Sequence, residues 1–179
     1  MTRYVLTGAP GCGKTSLLES LRLRGYGVVP EAATSVIAEE QANGVEAPWE
    51  LPGFIDAVAA VQRLRQIGTP TPGTQFFDRS PVDTLALARY GKHPTSPALA
   101  QELERIAKEQ VYDRQVFLVR PLGFVQWTSA RRISFEDSVM FEQMHIDAYR
   151  ECGYDLVEVP IASIEERADL IESYIVRSL

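Results

Sequence analysis

The stretch Gly8-Ala9-Pro10-Gly11-Cys12-Gly13-Lys14-Thr15 constrains this chain more than any other. It fits G-x-x-x-x-G-K-[ST], a loop whose main-chain amides curl inward around an anion. The apolar run Tyr4–Thr7 precedes it, and a helical pattern carrying Leu17, Leu18 and Leu21 follows. Strand, loop and helix in that order aim free amides and the positive end of a helix at one point. Glycines suit the loop because side chains would obstruct the turn. Lys14 is expected to bridge the β- and γ-phosphates of a nucleoside triphosphate, with the Thr15 hydroxyl on Mg2+. The expected phosphate contacts are Gly8, Ala9, Pro10, Gly11, Cys12, Gly13, Lys14, Thr15 and Ser16, with ATP and Mg2+ as cofactors. Cys12 is read as filling an unconstrained loop position rather than as a redox thiol.

The rest of the chain alternates. The apolar runs Tyr4–Thr7, Gly27–Pro30, Gln75–Phe77, Val116–Val119 and Leu156–Val159 are separated by stretches with helical periodicity. Runs that are apolar throughout belong to strands buried on both faces, so an α/β fold with a five-stranded, mostly parallel sheet between helical layers is expected. Ser80-Pro81 with Asp83, Ser134 with Asp137 and Ser163 with Glu166 carry the capping signature of helix starts. Ser96-Pro97 opens a further helix, and Gly25, Gly68 and Gly153 mark helix ends. Thr69-Pro70-Thr71-Pro72-Gly73 reads as a loop into the third strand. One domain over residues 1–179 is expected, with a helical insertion at 32–67 and a lid at 121–133.

Composition excludes several classes. The chain has 179 residues, 45% hydrophobic and 23% charged, which is ordinary for a folded globular protein. A net charge of -6 opposes a broad nucleic-acid footprint, which draws on clustered Lys and Arg. Two cysteines make no disulfide scaffold. No apolar run approaches the roughly 20 residues of a membrane span, and the first residues carry no export pattern, so a cytoplasmic location is expected.

Acids fall where a parallel sheet places its ligands, beyond the carboxyl ends of the strands. Asp78 follows an apolar run and is expected to hold Mg2+ through its water shell. Glu31 is placed to accept a proton from an attacking hydroxyl, or else simply opens the next helix. Arg79 and Arg120 lie at the same edge, and Arg131 and Arg132 end the lid where they can reach the transferring phosphoryl group. Trp127 either stacks on a ring or covers a core edge. His93 and His145 are read as structural.

The phosphate loop, Val28-Val29-Pro30-Glu31, Phe76-Phe77-Asp78-Arg79-Ser80, the run from Phe117 to Phe124, Arg131-Arg132 and Gly153 to Arg167 together resemble the AAA-like P-loop ATPase domain family, related to ribosylnicotinamide kinase domains. Glu31 and Asp78-Arg79-Ser80 also resemble deoxynucleoside kinases. The resemblance implies a P-loop NTPase three-layer sandwich of the nucleoside/nucleotide-kinase kind. It implies Glu31 as base, Arg79 as a substrate-side or phosphate-side arginine, and Ser163, after the fifth strand, beside the nucleotide base. Gln126-Trp127-Thr128 stands where many members have a more acidic, glycine-containing lid. The reading is a kinase moving the γ-phosphate of Mg-ATP to a hydroxyl of a nucleoside-like acceptor; the alternative is a nucleotide-dependent regulatory ATPase or switch with no acceptor. A guanine-specific switch is disfavoured, since Asn43 is the only asparagine and no Asn-Lys-x-Asp motif exists.

Overall fold

All five apolar runs form strands. The computed structural model describes residues 1–69, 73–121 and 135–177. Strands β1 (Thr2–Thr7), β2 (Gly27–Val29), β3 (Thr74–Asp78), β4 (Gln115–Val119) and β5 (Asp155–Val159) alternate with helices α1 (Lys14–Leu23), α2 (Ala32–Ala42), α3 (Phe54–Gly68), α4 (Pro81–Tyr90), α5 (Pro97–Lys108), α6 (Phe135–Glu151) and α7 (Ile164–Arg177). Strand ends extend past the apolar runs onto Thr2, Thr74, Asp78, Gln115 and Asp155, because the ladder continues after the core stops. Pro30 falls outside β2, having no N–H to give a ladder. Gly68 is the last residue of α3 rather than a residue beyond it.

The sheet order is β2-β3-β1-β4-β5, and every recorded pairing is parallel. Period-two alternation sends Tyr4 and Leu6 to one face and Val5 to the other. On the first face Tyr4, Phe76 and Phe117 pack under α1 and α7, with Tyr4 and Phe117 centroids 5.6 Å apart. On the second, Val5, Phe77 and Val116 pack beneath helices that include α2, α3, α4 and α5. Each such fully buried side chain stabilises the fold by about 1.5–3 kcal/mol. Residues 32–67, expected to be a helical insertion, carry α2, a short 3-10 turn at Pro48–Glu50 and nearly all of α3.

Local chemistry starts the helices as the sequence suggests. Ser80 Oγ accepts from Val82 N while Asp83 Oδ2 accepts from Ser80 N, a complete capping box. Ser96 Oγ accepts from Leu99 N at 3.0 Å. Ser163 and Glu166 exchange the equivalent bonds at α7. The Ser134 cap, residues 70–72 of the proline-rich loop and all of the lid but Pro121 lie outside the described residues. Among the described residues no helix is long and apolar enough to cross a membrane.

Candidate functional site

The loop between β1 and α1 bends where only glycine fits. Gly8 has φ +135°, and a Cβ there would sit 2.4 Å from the Val119 carbonyl oxygen. Gly13, at φ 89°, is the N-cap of α1 and carries no side chain to block the free amides of its first turn. Lys14 is buried against its own loop, its Nζ donating to the Gly8 and Ala9 carbonyls at 3.0 Å each and lying 3.4 Å from Cys12 Sγ. Ala9 and Cys12 are buried, whereas Thr15 and Ser16 are exposed in the first turn of α1.

Asp78 is the last residue of β3, level with Leu6 of the central strand. It is 7% exposed, and its Oδ1 has no hydrogen-bond partner among the described residues. Burial pushes its carboxyl above the usual range, with Lys14 and Arg79 pulling back and Glu31 and Asp83 adding to the rise. An orphaned, buried carboxylate oxygen is costly unless a cation or water meets it. A hard oxygen donor of this kind fits Mg2+, as does the exposed Thr15 hydroxyl in the first turn of α1.

Arg79 turns the chain out of β3 in a left-handed conformation, φ 73°, unusual for a residue with a Cβ. Its N–H is held by the Leu6 carbonyl at 3.1 Å. That corner aims the guanidinium back across the sheet edge. Nε donates to Glu31 Oε1 at 2.7 Å, and Nη1 donates to Asp83 Oδ1 at 3.2 Å and to His145 Nε2 at 2.8 Å. Burial alone would lower the Arg79 pKa; Glu31, Asp83 and Asp78 together raise it.

Glu31 sits at the N-cap of α2, yet its side chain caps nothing. Instead Oε1 meets Arg79, and Oε2 accepts from Thr34 Oγ1 at 2.7 Å. Burial favours its neutral form, but Arg79 and Lys14 outweigh that and hold the carboxyl down at about 2. Its main chain is clamped too, because Arg65 Nη1 donates to the Pro30 and Glu31 carbonyls at 2.8 and 2.7 Å.

Beneath this pair lies a network that local pattern reading did not find. Asp83, 2% exposed, accepts from Thr7 Oγ1 at 2.6 Å and from the Tyr149 hydroxyl, besides Ser80 N and Arg79. His145 is fully buried and donates from Nδ1 to the Phe141 carbonyl, which leaves Nε2 to accept from Arg79. Burial, then the Arg79 charge, hold its pKa down at about 4, so the ring is neutral. Read as structural from the sequence, His145 is a packed core residue that also bonds a site arginine. The available signal was a polar stripe, Glu142, His145 and Tyr149, on one face of an otherwise mixed helix.

The structure thus brings Lys14, Glu31, Asp78 and Arg79 to one edge. Arg120 is instead paired with Glu142, Nη1 to Oε1 at 2.5 Å. Ser163 is exposed after β5 and engaged with Glu166. Arg131, Arg132 and Trp127 lie outside the described residues.

A family model described as an AAA domain matches residues 3–167. No curated protein matches the chain in sequence. Its fold is similar to that of deoxyadenosine kinase from M. mycoides with bound dATP, at TM-score 0.68 and 13% identity, over 98% of this chain and 99% of that one. The same enzyme with products dCMP and dCDP gives TM-score 0.64 and 14% identity, over 99% and 100%. NadR protein in complex with NAD and AMP-PNP gives TM-score 0.68 and 17% identity, over 97% of this chain but 49% of NadR, so the chain spans about half the length of that protein.

Proposed function

The chain belongs to the AAA domain family, and from that membership and the geometry of the sheet edge we propose that it is a kinase passing the γ-phosphate of Mg-ATP to a hydroxyl of a nucleoside-like acceptor. One observation carries the reading: the Glu31–Arg79 ion pair stands at the same carboxyl edge as the phosphate loop and Lys14. Transfer to an acceptor requires a group that orients the acceptor hydroxyl, and the Glu31–Arg79 pair supplies a fixed carboxylate for that role. The structural neighbours, a deoxyadenosine kinase and NadR, lend the same support.

In this reading the loop amides of residues 8–15 hold the phosphates, and Lys14 exchanges its carbonyl partners for phosphate oxygens. Thr15 and Asp78 would hold a magnesium ion, which when bound would supply positive charge to offset that on the transferring group. The described edge carries Glu31, Asp78 and Asp83 against Lys14 and Arg79, an excess of negative charge that a cation offsets. Glu31 orients the acceptor hydroxyl and takes its proton. A carboxylate held near 2 is a weak base, but phosphoryl transfer passes through a loose transition state that asks mainly for a fixed hydrogen-bond acceptor. Arg79 keeps Glu31 ionised and aimed, and stands ready to neutralise the product phosphate. Arg131 and Arg132 of the lid are assigned to the transferring phosphoryl group, and Ser163 to the wall of the base pocket.

The test is a panel of nucleosides with Mg-ATP. ADP release that requires one acceptor supports the kinase; slow hydrolysis indifferent to every acceptor replaces it with the regulatory ATPase.

A further inference from the structure

Arg167 of α7 is only 2% exposed, yet its guanidinium meets no carboxylate among the described residues. All three of its recorded bonds go to main-chain carbonyls: Nε to Pro160 at 2.8 Å, Nη1 to Cys12 at 2.9 Å and Nη2 to Arg120 at 2.8 Å. Pro160 follows β5, Arg120 follows β4 and Cys12 lies in the phosphate loop. One side chain therefore ties together the three segments that surround the nucleotide in the reading above.

A guanidinium withdrawn from water with no counter-charge is costly, and carbonyl dipoles offset that cost only in part. Burial correspondingly pushes its pKa down. The Cys12–Gly13 peptide is trans, so the Gly13 N–H points opposite to the Cys12 carbonyl. A grip on that carbonyl from the α7 side therefore aims the Gly13 N–H away from Arg167, at the mouth of α1. A donor on the carbonyl also polarises the peptide and strengthens its N–H as a donor in turn.

We propose that Arg167 is a positioning residue for the nucleotide phosphates: it fixes and polarises the Cys12–Gly13 peptide of the phosphate loop and places behind it a buried positive charge that a polyphosphate balances. This rests on the reading of the loop as a triphosphate site. The role differs from that of Lys14, which is placed to touch the phosphates; Arg167 acts through a peptide bond. Because it acts through the loop, its contribution grows with the number of phosphates that lie against the loop.

The full-length parent, Arg167→Met and Arg167→Lys are compared by calorimetric titration with Mg-ATP, Mg-ADP and AMP. Removing a charged donor should weaken Mg-ATP about tenfold or more. The loss should be smaller for Mg-ADP and within about twofold for AMP, which lacks the β- and γ-phosphates that lie against the loop in this reading. Arg167→Lys keeps the charge without the three-way span, and should show a shallower gradient in the same order. Equal losses for all three nucleotides describe a purely structural brace and overturn the proposal, as does an unchanged affinity for Mg-ATP. Should Arg167→Met not fold, Arg167→Lys decides alone: a graded loss supports the role and a flat one removes it. If the parent binds none of these nucleotides, the triphosphate reading and the role of Arg167 fall together. A binding parent with ungraded variants removes Arg167 only.

Discussion

The phosphate-loop side and the acid side of the sheet edge are built by opposite methods. The phosphate loop is one unbroken run, residues 8–15, shaped by its own glycines and by Lys14 bonding its own carbonyls. The acid side is assembled from Thr7, Glu31, Arg79, Asp83, His145 and Tyr149, carried by β1, α4, α6 and the corners between elements. A backbone-made site depends on its turns and on the few outside groups that hold its carbonyls, as Arg167 holds that of Cys12. A side-chain-made site is part of the core, so its members set function and stability together.

Four substitutions or conditions test that contrast. Lys14→Ala should lower ATP-dependent turnover on the order of 100- to 1,000-fold while leaving the urea midpoint nearly unchanged, because its bonds lie within one loop. A large drop in midpoint would show the loop to be structural as well. Asp83→Asn should cost about 3 kcal/mol of unfolding free energy, as for breaking a buried charge pair that leaves its partner behind. Urea titration reads this directly, and a loss under about 1 kcal/mol would mean that the network is incidental to the core. Glu31→Gln should reduce acceptor-dependent transfer by about 100-fold with Mg-ATP affinity unchanged; an unaltered transfer rate removes Glu31 as the base.

The last test is pH. His145 titrates at about 4 in the fold against 6.5 ordinarily, facing Arg79, Asp83 and Lys14. The unfolded chain therefore takes up a proton first as pH falls from 6.5, and stability declines from there to about pH 4. Glu31, held down at about 2 from 4.5, adds a second decline between those values, which the raised Asp78 partly opposes. His145→Gln, which keeps an acceptor for Arg79, should flatten the upper limb; an unchanged slope there assigns it to other groups.

What the sequence revealed follows the same division. The loop, the strand runs and the caps at Ser80, Ser96 and Ser163 depend on neighbours within a few residues, and each is visible as a local pattern. Asp83 was legible as a capping acid, and it is one, but its bonds to Thr7 and Tyr149 arise only when α4 and α6 pack together at the edge of β1. The Glu31–Arg79 pair joins residues on two strand ends that pattern reading could place at one edge but not in contact. Arg167 carries no local signal, since its acceptors are carbonyls that any residue type supplies.

The position of β1 in the sheet has a consequence for how the protein comes to exist during synthesis. Its two neighbours begin only at Thr74 and Gln115, so β1 leaves the ribosome well before either of them. Contacts so distant along the chain slow folding. A nascent chain halted before Gln115 would hold every letter of the glycine-rich motif while β1 still lacked its partner on the β4 side.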